Sequence, residues 1–250
     1  MMDIDFPVEI TTFADIPGGT GLGSSSTFTV GLLNALYALK GQRATKYTLA
    51  SQAAHIEIDL LKRTMGAQDH FAAAYGNINI FTFKKNGVVM VDPIFYKPEN
   101  KLKIGNNLLI FYTGIKRDAS KILESQNESA VENFQVLTKM KNLVQPLSDT
   151  FTQKISAHKF GELLHKNWLL KRELTKKISS SQIDSYYRKA IKAGAIGGKL
   201  LGAGGGGFLL FYVPKKYQNA VINSLSDLHY LKFGYDNYGT RITYYDQTVF

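Results

Sequence analysis

The chain contains no cysteine. That excludes disulfides and thiolate-bound metals, although it fixes no compartment. The opening residues Met1-Met-Asp-Ile-Asp-Phe-Pro7 carry neither a basic stretch nor an apolar core, so no secretory signal is expected there. A hydrophobic run such as Phe208 to Val213 is far too short to cross a bilayer. The expectation is a soluble, cytoplasmic protein with no membrane partner. Internal repeats and low-complexity linkers are also missing. His55, His70, His158, His165 and His229 show no zinc-helix spacing. His55 and Glu57 form the H-x-E of a zinc deaminase, but the later cysteine pair that chemistry needs does not exist.

What is present is an ordinary globular composition with an excess of positive charge. At 250 residues the chain can hold one large or two modest domains. A net charge of +10 favours anionic partners such as nucleotides and sugar phosphates. The basic residues are scattered: Lys84-Lys85, Lys171-Arg172, Lys176-Lys177 and Lys215-Lys216 read as solvated faces. Nucleic acid is therefore not the expected partner.

The densest local signal is Ile16-Pro-Gly-Gly-Thr-Gly-Leu-Gly-Ser-Ser-Ser26, a glycine and hydroxyl loop that runs into an amphipathic helix. Phe28, Leu32, Leu33, Leu36 and Leu39 recur at helical spacing, with Gly41 as the stop. Such a loop offers backbone N–H groups and the positive end of the helix dipole to an anion, most often phosphate. A tight turn with a serine cap would explain a shorter cluster. A P-loop fails because no lysine follows the glycines. The dinucleotide fingerprint fails because Gly19, Gly21 and Gly23 have the wrong spacing. A non-Walker phosphate loop remains.

Along the chain, Val8 to Phe13 reads as a strand feeding this loop, Ser24 to Lys40 as its helix, and Thr48 to Lys62 as a second helix. Asp69 to Tyr75 is short and alanine-rich. Asn86-Gly87 between two apolar runs signals a hairpin. Leu108 to Tyr112 reads as a strand. Ala119 to Ala195 is mainly helical, with breaks near Pro146 and at Ser179 to Ser181. A second glycine cluster, Gly197 to Gly207, precedes a buried-type strand, Phe208 to Val213. A helix near Tyr217 to Leu228 and strands around Leu231 and Arg241 to Tyr245 follow. The order is mixed α+β without regular βαβ alternation.

Gly202, Gly204 and Gly207 satisfy G-x-G-x-x-G, but they precede a strand, whereas the nucleotide fingerprint follows one. Four consecutive glycines exceed what a turn needs. The cluster therefore reads as a functional loop lying against the first one or against substrate. Between the two loops stand Glu57 and Asp69. A phosphate loop calls for a divalent cation and a group to handle the acceptor's proton, although Asp69 could equally cap its own short helix.

Together these pieces resemble the GHMP kinases. Pro17 to Ser26 resembles the second motif of that family, P-x-x-x-G-L-G-S-S, with Pro17, Gly21, Leu22, Gly23, Ser24 and Ser25 in register. Lys199 to Gly207 resembles the third, K-x-x-G-A-G-x-G-G. Gly66 to Asp69 with His70-Phe71 resembles a galactokinase-type G-x-x-D-Q-[FY] segment, with His70 in place of the glutamine. Glu57 stands twelve residues before Asp69, the spacing of the magnesium glutamate in galactokinase-like members. Asp15 to Leu36, Ala67 to Gly76, Phe111 to Arg117 and Leu164 to Lys171 resemble the subgroup acting on D-glycero-D-manno-heptose 7-phosphate.

The resemblance implies an α+β, two-domain GHMP kinase fold. Residues 1–104 would form an incomplete ATP-binding part like domain 2 of ribosomal protein S5, and residues 105–250 a ferredoxin-like part. It implies ATP and Mg²⁺ as cofactors and a sugar phosphate as substrate, phosphorylated at the anomeric hydroxyl for nucleotide-heptose and surface polysaccharide synthesis. Pro17, Gly18, Gly19, Thr20, Gly21, Leu22, Gly23, Ser24, Ser25 and Ser26 would bind ATP, Ser25 and Glu57 would hold Mg²⁺, and Asp69 would be catalytic. Arg117, Lys171, Gly202, Gly204 and Gly205 would meet the sugar substrate. The family's first motif should lie some tens of residues before the second, and the chain begins fifteen residues ahead of Ile16. The early strands and the basic partner of Asp69 are accordingly expected to be lacking. Two alternatives stay open: another sugar kinase of the family, such as one acting on fucose, or a non-catalytic nucleotide or sugar-phosphate binder. Oligomeric state is not given by the sequence, which leaves a homodimer open.

Overall fold

The structure, a computed structural model, describes residues 2, 4–115, 119–152 and 156–246. It divides into two compact units that do not follow chain order. The first comprises Met1–Gly18, Gly23–Asn77 and Asp236–Phe250, the second Gly19–Leu22 and Ile78–Tyr235.

The first unit is helical. Helix α1 (Ser24–Leu39) packs on α2 (Lys46–Ala54) and on α3 (Gln68–Tyr75). Val30, Leu33, Leu49, Phe71, Ala50, Ala53 and Ala74 are buried between them, and the small alanines let the helices approach closely. Thr45 caps α2 by accepting from Thr48 N at 3.0 Å. The second helix does not run straight on to Lys62. At His55 it widens into a π-helix, His55–Leu60, and Lys62 then turns left-handed at φ 53°. A π turn inside an α-helix is uncommon and favours functional positions. This one carries Glu57. Residues 236–240 strap α3 through Asn77 N to Asp236 O (2.7 Å) and Thr240 N to Ala73 O (3.0 Å).

Two strand expectations fail in this unit. Val8 to Phe13 and Arg241 to Tyr245 have no regular structure. Val8, Ile10 and Phe13 are 42, 52 and 94% exposed. A strand needs a neighbour for its N–H and C=O groups, and no described residue supplies one here. Phe28 also departs from expectation: it is 49% exposed, and with Leu32 and Leu36 it faces a cavity instead of the helix core.

The second unit begins with the expected hairpin, β1 (Asn79–Phe83) and β2 (Val89–Pro93), in register from Asn79 opposite Pro93 to Phe83 opposite Val89. Helix α4 (Pro98–Gly105) spans the expected 104/105 boundary. After it come β3 (Leu108–Tyr112), α5 (Ala119–Glu128), α6 (Phe134–Lys141), α7 (Val144–Thr152), α8 (Ala157–Glu173) and α9 (Ser181–Lys192). Pro146 lies within the first turn of α7, where a missing N–H leaves no bond unmade. The break falls before it. Then β4 (Gly197–Leu200), β5 (Phe208–Tyr212), α10 (Gln218–Ser224) and β6 (His229–Leu231) complete the unit. The first residues of the second glycine cluster are thus strand, not loop.

The four strands β4-β5-β3-β6 form one antiparallel sheet, with Ile110 opposite both Leu210 and Leu231. Phe111, Leu200, Leu209, Phe211, Trp168, Ile178, Ile183 and Tyr187 make the principal core. The turn joining β4 to β5, residues 201–207, carries the second glycine cluster.

Candidate active site

In the first unit α1 opens directly after Gly23. Gly23 has positive φ (70°), as do Gly19 and Gly21 of the second unit (78° and 86°), a backbone conformation that is common where N–H groups are turned toward an anion. Gly23 is the N-cap residue, no side chain caps the helix, and its first turn has no acidic residue. The orphan N–H groups at Ser24, Ser25 and Ser26 therefore meet no fixed negative charge from α1 itself. Ser26 is fully buried, and its Oγ has no hydrogen-bond partner among the described residues.

Asp69 stands in the first turn of α3, against that helix start. A Cβ added at Gly23 would lie 3.2 Å from Cβ, Cγ and Oδ2 of Asp69. Glycine suits this φ and leaves the carboxyl its place, whereas a Cβ would press it aside by a few tenths of an ångström. Burial pushes the Asp69 pKa above its ordinary 3.8; His70 lowers it and Glu57 raises it further. A carboxyl displaced in this direction is a better proton acceptor than an exposed one.

Glu57 is 1% exposed. Its Oε1 accepts from Arg63 Nη1 at 2.7 Å, and its Oε2 pairs with His70 Nε2 at 2.8 Å. Ser25, Glu57 and Arg63 line one cavity of about 300 Å³ whose other walls are largely apolar. Among the described residues no group of three or more His, Cys, Asp or Glu side chains could cage a metal. Magnesium does not ask for one. It is commonly held by one or two carboxylates, with water and substrate phosphate filling the remaining positions. A carboxylate and a hydroxyl lining the same cavity fit that requirement.

In the second unit the Thr20 carbonyl lies against the second glycine cluster, where a Cβ on Gly207 would come 2.1 Å from Thr20 O. The cluster is firmly tied. Gly207 O accepts from Thr113 N (2.9 Å) and Thr113 Oγ1 (2.8 Å). Gly207 N donates to Ile115 O, Gly205 N to Ile178 O, and Gln126 Nε2 to Ala203 O. Lys171, which is buried, donates to Gly202 O. Gly204 packs on Ile178, 2.8 Å from a would-be Cβ to Cα. Lys199 donates to Asn167 Oδ1 at 3.3 Å, and burial lowers its pKa.

The sequence candidates thus fall into two sets. Gly23 to Ser26, Glu57 and Asp69 belong to the first unit, and Thr20, Lys171, Gly202, Gly204 and Gly205 to the second. Arg117 lies outside the described residues. Three residues escaped sequence reasoning. Arg63 follows the helix end with no motif of its own. His70 was visible only as a departure from glutamine, yet it is the second donor to Glu57. Thr113 was one residue of a longer matched stretch, with nothing to single it out as the anchor of Gly207.

Comparison with known proteins identifies the family. The GHMP kinases N-terminal domain model matches residues 2–77, and the GHMP kinases C-terminal model matches residues 150–230. The chain belongs to the GHMP kinases. It is 32% identical over 216 residues to D-glycero-alpha-D-manno-heptose 7-phosphate kinase from Campylobacter jejuni, covering 84% of this chain and 62% of that protein. Among solved structures, a D-glycero-D-manno-heptose 1-phosphate kinase from Bacteroides thetaiotaomicron superposes with a TM-score of 0.63 at 25% identity, over 91% of this chain and 64% of that one. A phosphomevalonate kinase from Streptococcus pneumoniae, at 16% identity and TM-score 0.70, covers 87% of this chain and 69% of that one, and shares the fold. The chain spans about three fifths of the length of the Campylobacter relative. No helix among the described residues is long and apolar enough to cross a membrane.

Proposed function

We propose that the protein transfers the γ-phosphoryl group of ATP to the anomeric hydroxyl of a heptose 7-phosphate, a step toward nucleotide-activated heptose for surface polysaccharide. The observation that carries the reading is the juxtaposition of Asp69 with the uncapped start of α1, a potential proton acceptor beside a potential phosphate cradle. The heptose 7-phosphate kinase among its relatives supports the choice of sugar.

In this reading the backbone amides from Gly19 to Ser24 hold the ATP phosphates, with Pro17 and Gly18 leading in and Ser26 closing the turn. Ser25 and Glu57 would hold Mg²⁺, which supplies charge neutralisation on the transferring group when bound. Asp69 orients the acceptor hydroxyl and takes its proton as the new P–O bond forms. No covalent enzyme intermediate is involved, so positioning and electrostatics supply most of the rate. The turn at Gly202, Gly204 and Gly205 shapes the sugar side. Lys171 brings positive charge to that turn, and Arg117 is the second cation for the sugar-borne phosphate. A cytoplasmic location completes the proposal.

A substrate panel tests it. With ATP and Mg²⁺, turnover on heptose 7-phosphate should exceed turnover on the dephosphorylated heptose and on fucose by at least about 10²-fold, the discrimination a satisfied charged contact gives. Comparable turnover on the free sugars would overturn the assignment of substrate. Background turnover on every sugar with ATP still bound would overturn the assignment of activity.

A further inference from the structure

The carboxylate of Glu57 already has a cation on it. Oε1 accepts from Arg63 Nη1 at 2.7 Å, while Oε2 is held by His70 Nε2 at 2.8 Å. These two donors differ in freedom. His70 is wholly buried on α3 and has no room to leave. The Arg63 side chain is 50% exposed. Its backbone is fixed, because the left-handed Lys62 reverses the chain and Arg63 N donates to Glu57 O at 2.9 Å, but the guanidinium rides a long flexible stem. It also lines the same cavity as Ser25 and Glu57, among Phe28, Leu32, Leu36 and Leu61. In such apolar surroundings a carboxylate without a counter-charge is costly.

We infer that Arg63 is the resident counter-cation of the metal site, holding Oε1 of Glu57 until Mg²⁺ displaces it. The inference rests on the reading of Glu57 as a magnesium ligand. It divides the labour between the two oxygens. Oε2 stays fixed on His70 and sets the orientation of the carboxylate, and Oε1 is exchangeable. Metal affinity then becomes a difference between two cations competing for one oxygen. A divalent ion bound to nucleotide phosphates can displace a half-exposed guanidinium, whereas a monovalent ion offers too little charge to do so. Arg63 is a positioning residue in this account, since it acts through the Glu57 carboxylate that it pairs with.

The test is Mn²⁺ binding, read from the electron paramagnetic resonance signal of the free ion at pH 8 with a non-hydrolysable ATP analogue. Wild type is compared with Arg63→Gln, Arg63→Lys, Glu57→Gln and the double variant Glu57→Gln/Arg63→Gln. Arg63→Gln should tighten Mn²⁺ by about tenfold, the scale of a partly buried ion pair. Arg63→Lys should stay within about threefold of wild type, because the charge is retained. Glu57→Gln should weaken binding, and adding Arg63→Gln to it should change nothing further, since Arg63 acts only through that carboxylate. If Glu57→Gln binds Mn²⁺ like wild type, the ligand reading itself fails. If Glu57→Gln weakens binding but Arg63→Gln leaves it equal or weaker, the counter-cation inference alone is overturned. A measurement on the unaltered protein guards against misfolded variants. The ¹⁵N–¹H signals of the Arg63 guanidinium should shift or broaden when Mg²⁺ and the nucleotide analogue are added, and unchanged signals at saturating Mg²⁺ would also sink the idea.

Discussion

Replacing Gly23 by alanine should damage stability and catalysis together, through one methyl group. Gly23 has φ 70° and ψ 25°, a conformation that costs an L-residue about 1–2 kcal/mol. The loss of unfolded-chain freedom from glycine to alanine returns about 0.4–1 kcal/mol. The new Cβ would also lie 3.2 Å from three atoms of the Asp69 side chain. Two of those atoms, Cβ and Cγ, sit close to the backbone of α3 and cannot swing away, so relieving the contact adds up to about 1 kcal/mol. The net expectation is about 1–2 kcal/mol, which for a chain of this size lowers the melting temperature by about 2–8 °C. Relief of the contact moves the Asp69 carboxyl by a few tenths of an ångström, and turnover should fall about tenfold, given that a 1 Å misplacement can cost about 10²-fold. Gly234→Ala is the control: nothing lies within 4 Å of its added Cβ and its φ is not left-handed, so it should be neutral within about 0.5 kcal/mol. The assays are circular-dichroism melting and coupled turnover of ATP with heptose 7-phosphate. If Gly23→Ala and Gly234→Ala behave alike in both, Asp69 does not depend on the Gly23 gap.

Asp69→Asn should abolish transfer yet melt higher than wild type at pH 8. Burial and Glu57 disfavour the ionised Asp69, so the neutral carboxyl stabilises the fold at low pH and that contribution is lost as pH rises from 3.8 through the raised folded value. The melting gap between Asp69→Asn and wild type should therefore close as pH is lowered toward 4, and a gap that widened there would contradict the sign. The same direction predicts that the acid limb of wild-type turnover lies above the ordinary aspartate range, a pH–rate profile being the check. Gly207→Ala would bring a Cβ to 2.1 Å from Thr20 O, a backbone atom with nowhere to go, and should cost at least about 3 kcal/mol by chemical denaturation. His70→Gln keeps a donor for Glu57 Oε2 and should retain most activity. His70→Leu leaves that buried oxygen without one and should cost about 1–3 kcal/mol in the same assay.

Local signals carried most of the fold. The serine run opened α1, Asn86-Gly87 closed the hairpin, and apolar runs marked β3 and β5, because each depends on neighbours in sequence. Val8 to Phe13 has the apolar content of a strand but no described partner, and pairing is not visible in a single segment. Gly197 to Leu200 read as loop because glycine is a poor strand former, although β5 recruits it as an edge strand. At the site, the motifs located the glycine loop, Glu57 and Asp69. The π turn that aims Glu57, and Arg63 and His70 that bind it, depend on how two helices meet. Nothing in the pattern of residues 55–70 announces a widening of the helix at His55. The second glycine cluster was expected against the first loop or the substrate, and Gly207 does lie on Thr20. Thr113 and Ile115 hold it in place, through bonds from a segment some ninety residues earlier that no local pattern displays.

The central claim is that Asp69 serves phosphoryl transfer to an anomeric hydroxyl. It is tested most directly by ³¹P nuclear magnetic resonance of a mixture of ATP, Mg²⁺, heptose 7-phosphate and the purified protein. The account predicts a new anomeric phosphate signal that grows as the γ-phosphate signal of ATP declines, with Asp69→Asn slowed by at least about 10³-fold while still binding nucleotide. An anomeric phosphate formed by Asp69→Asn within a few-fold of the wild-type rate would contradict it.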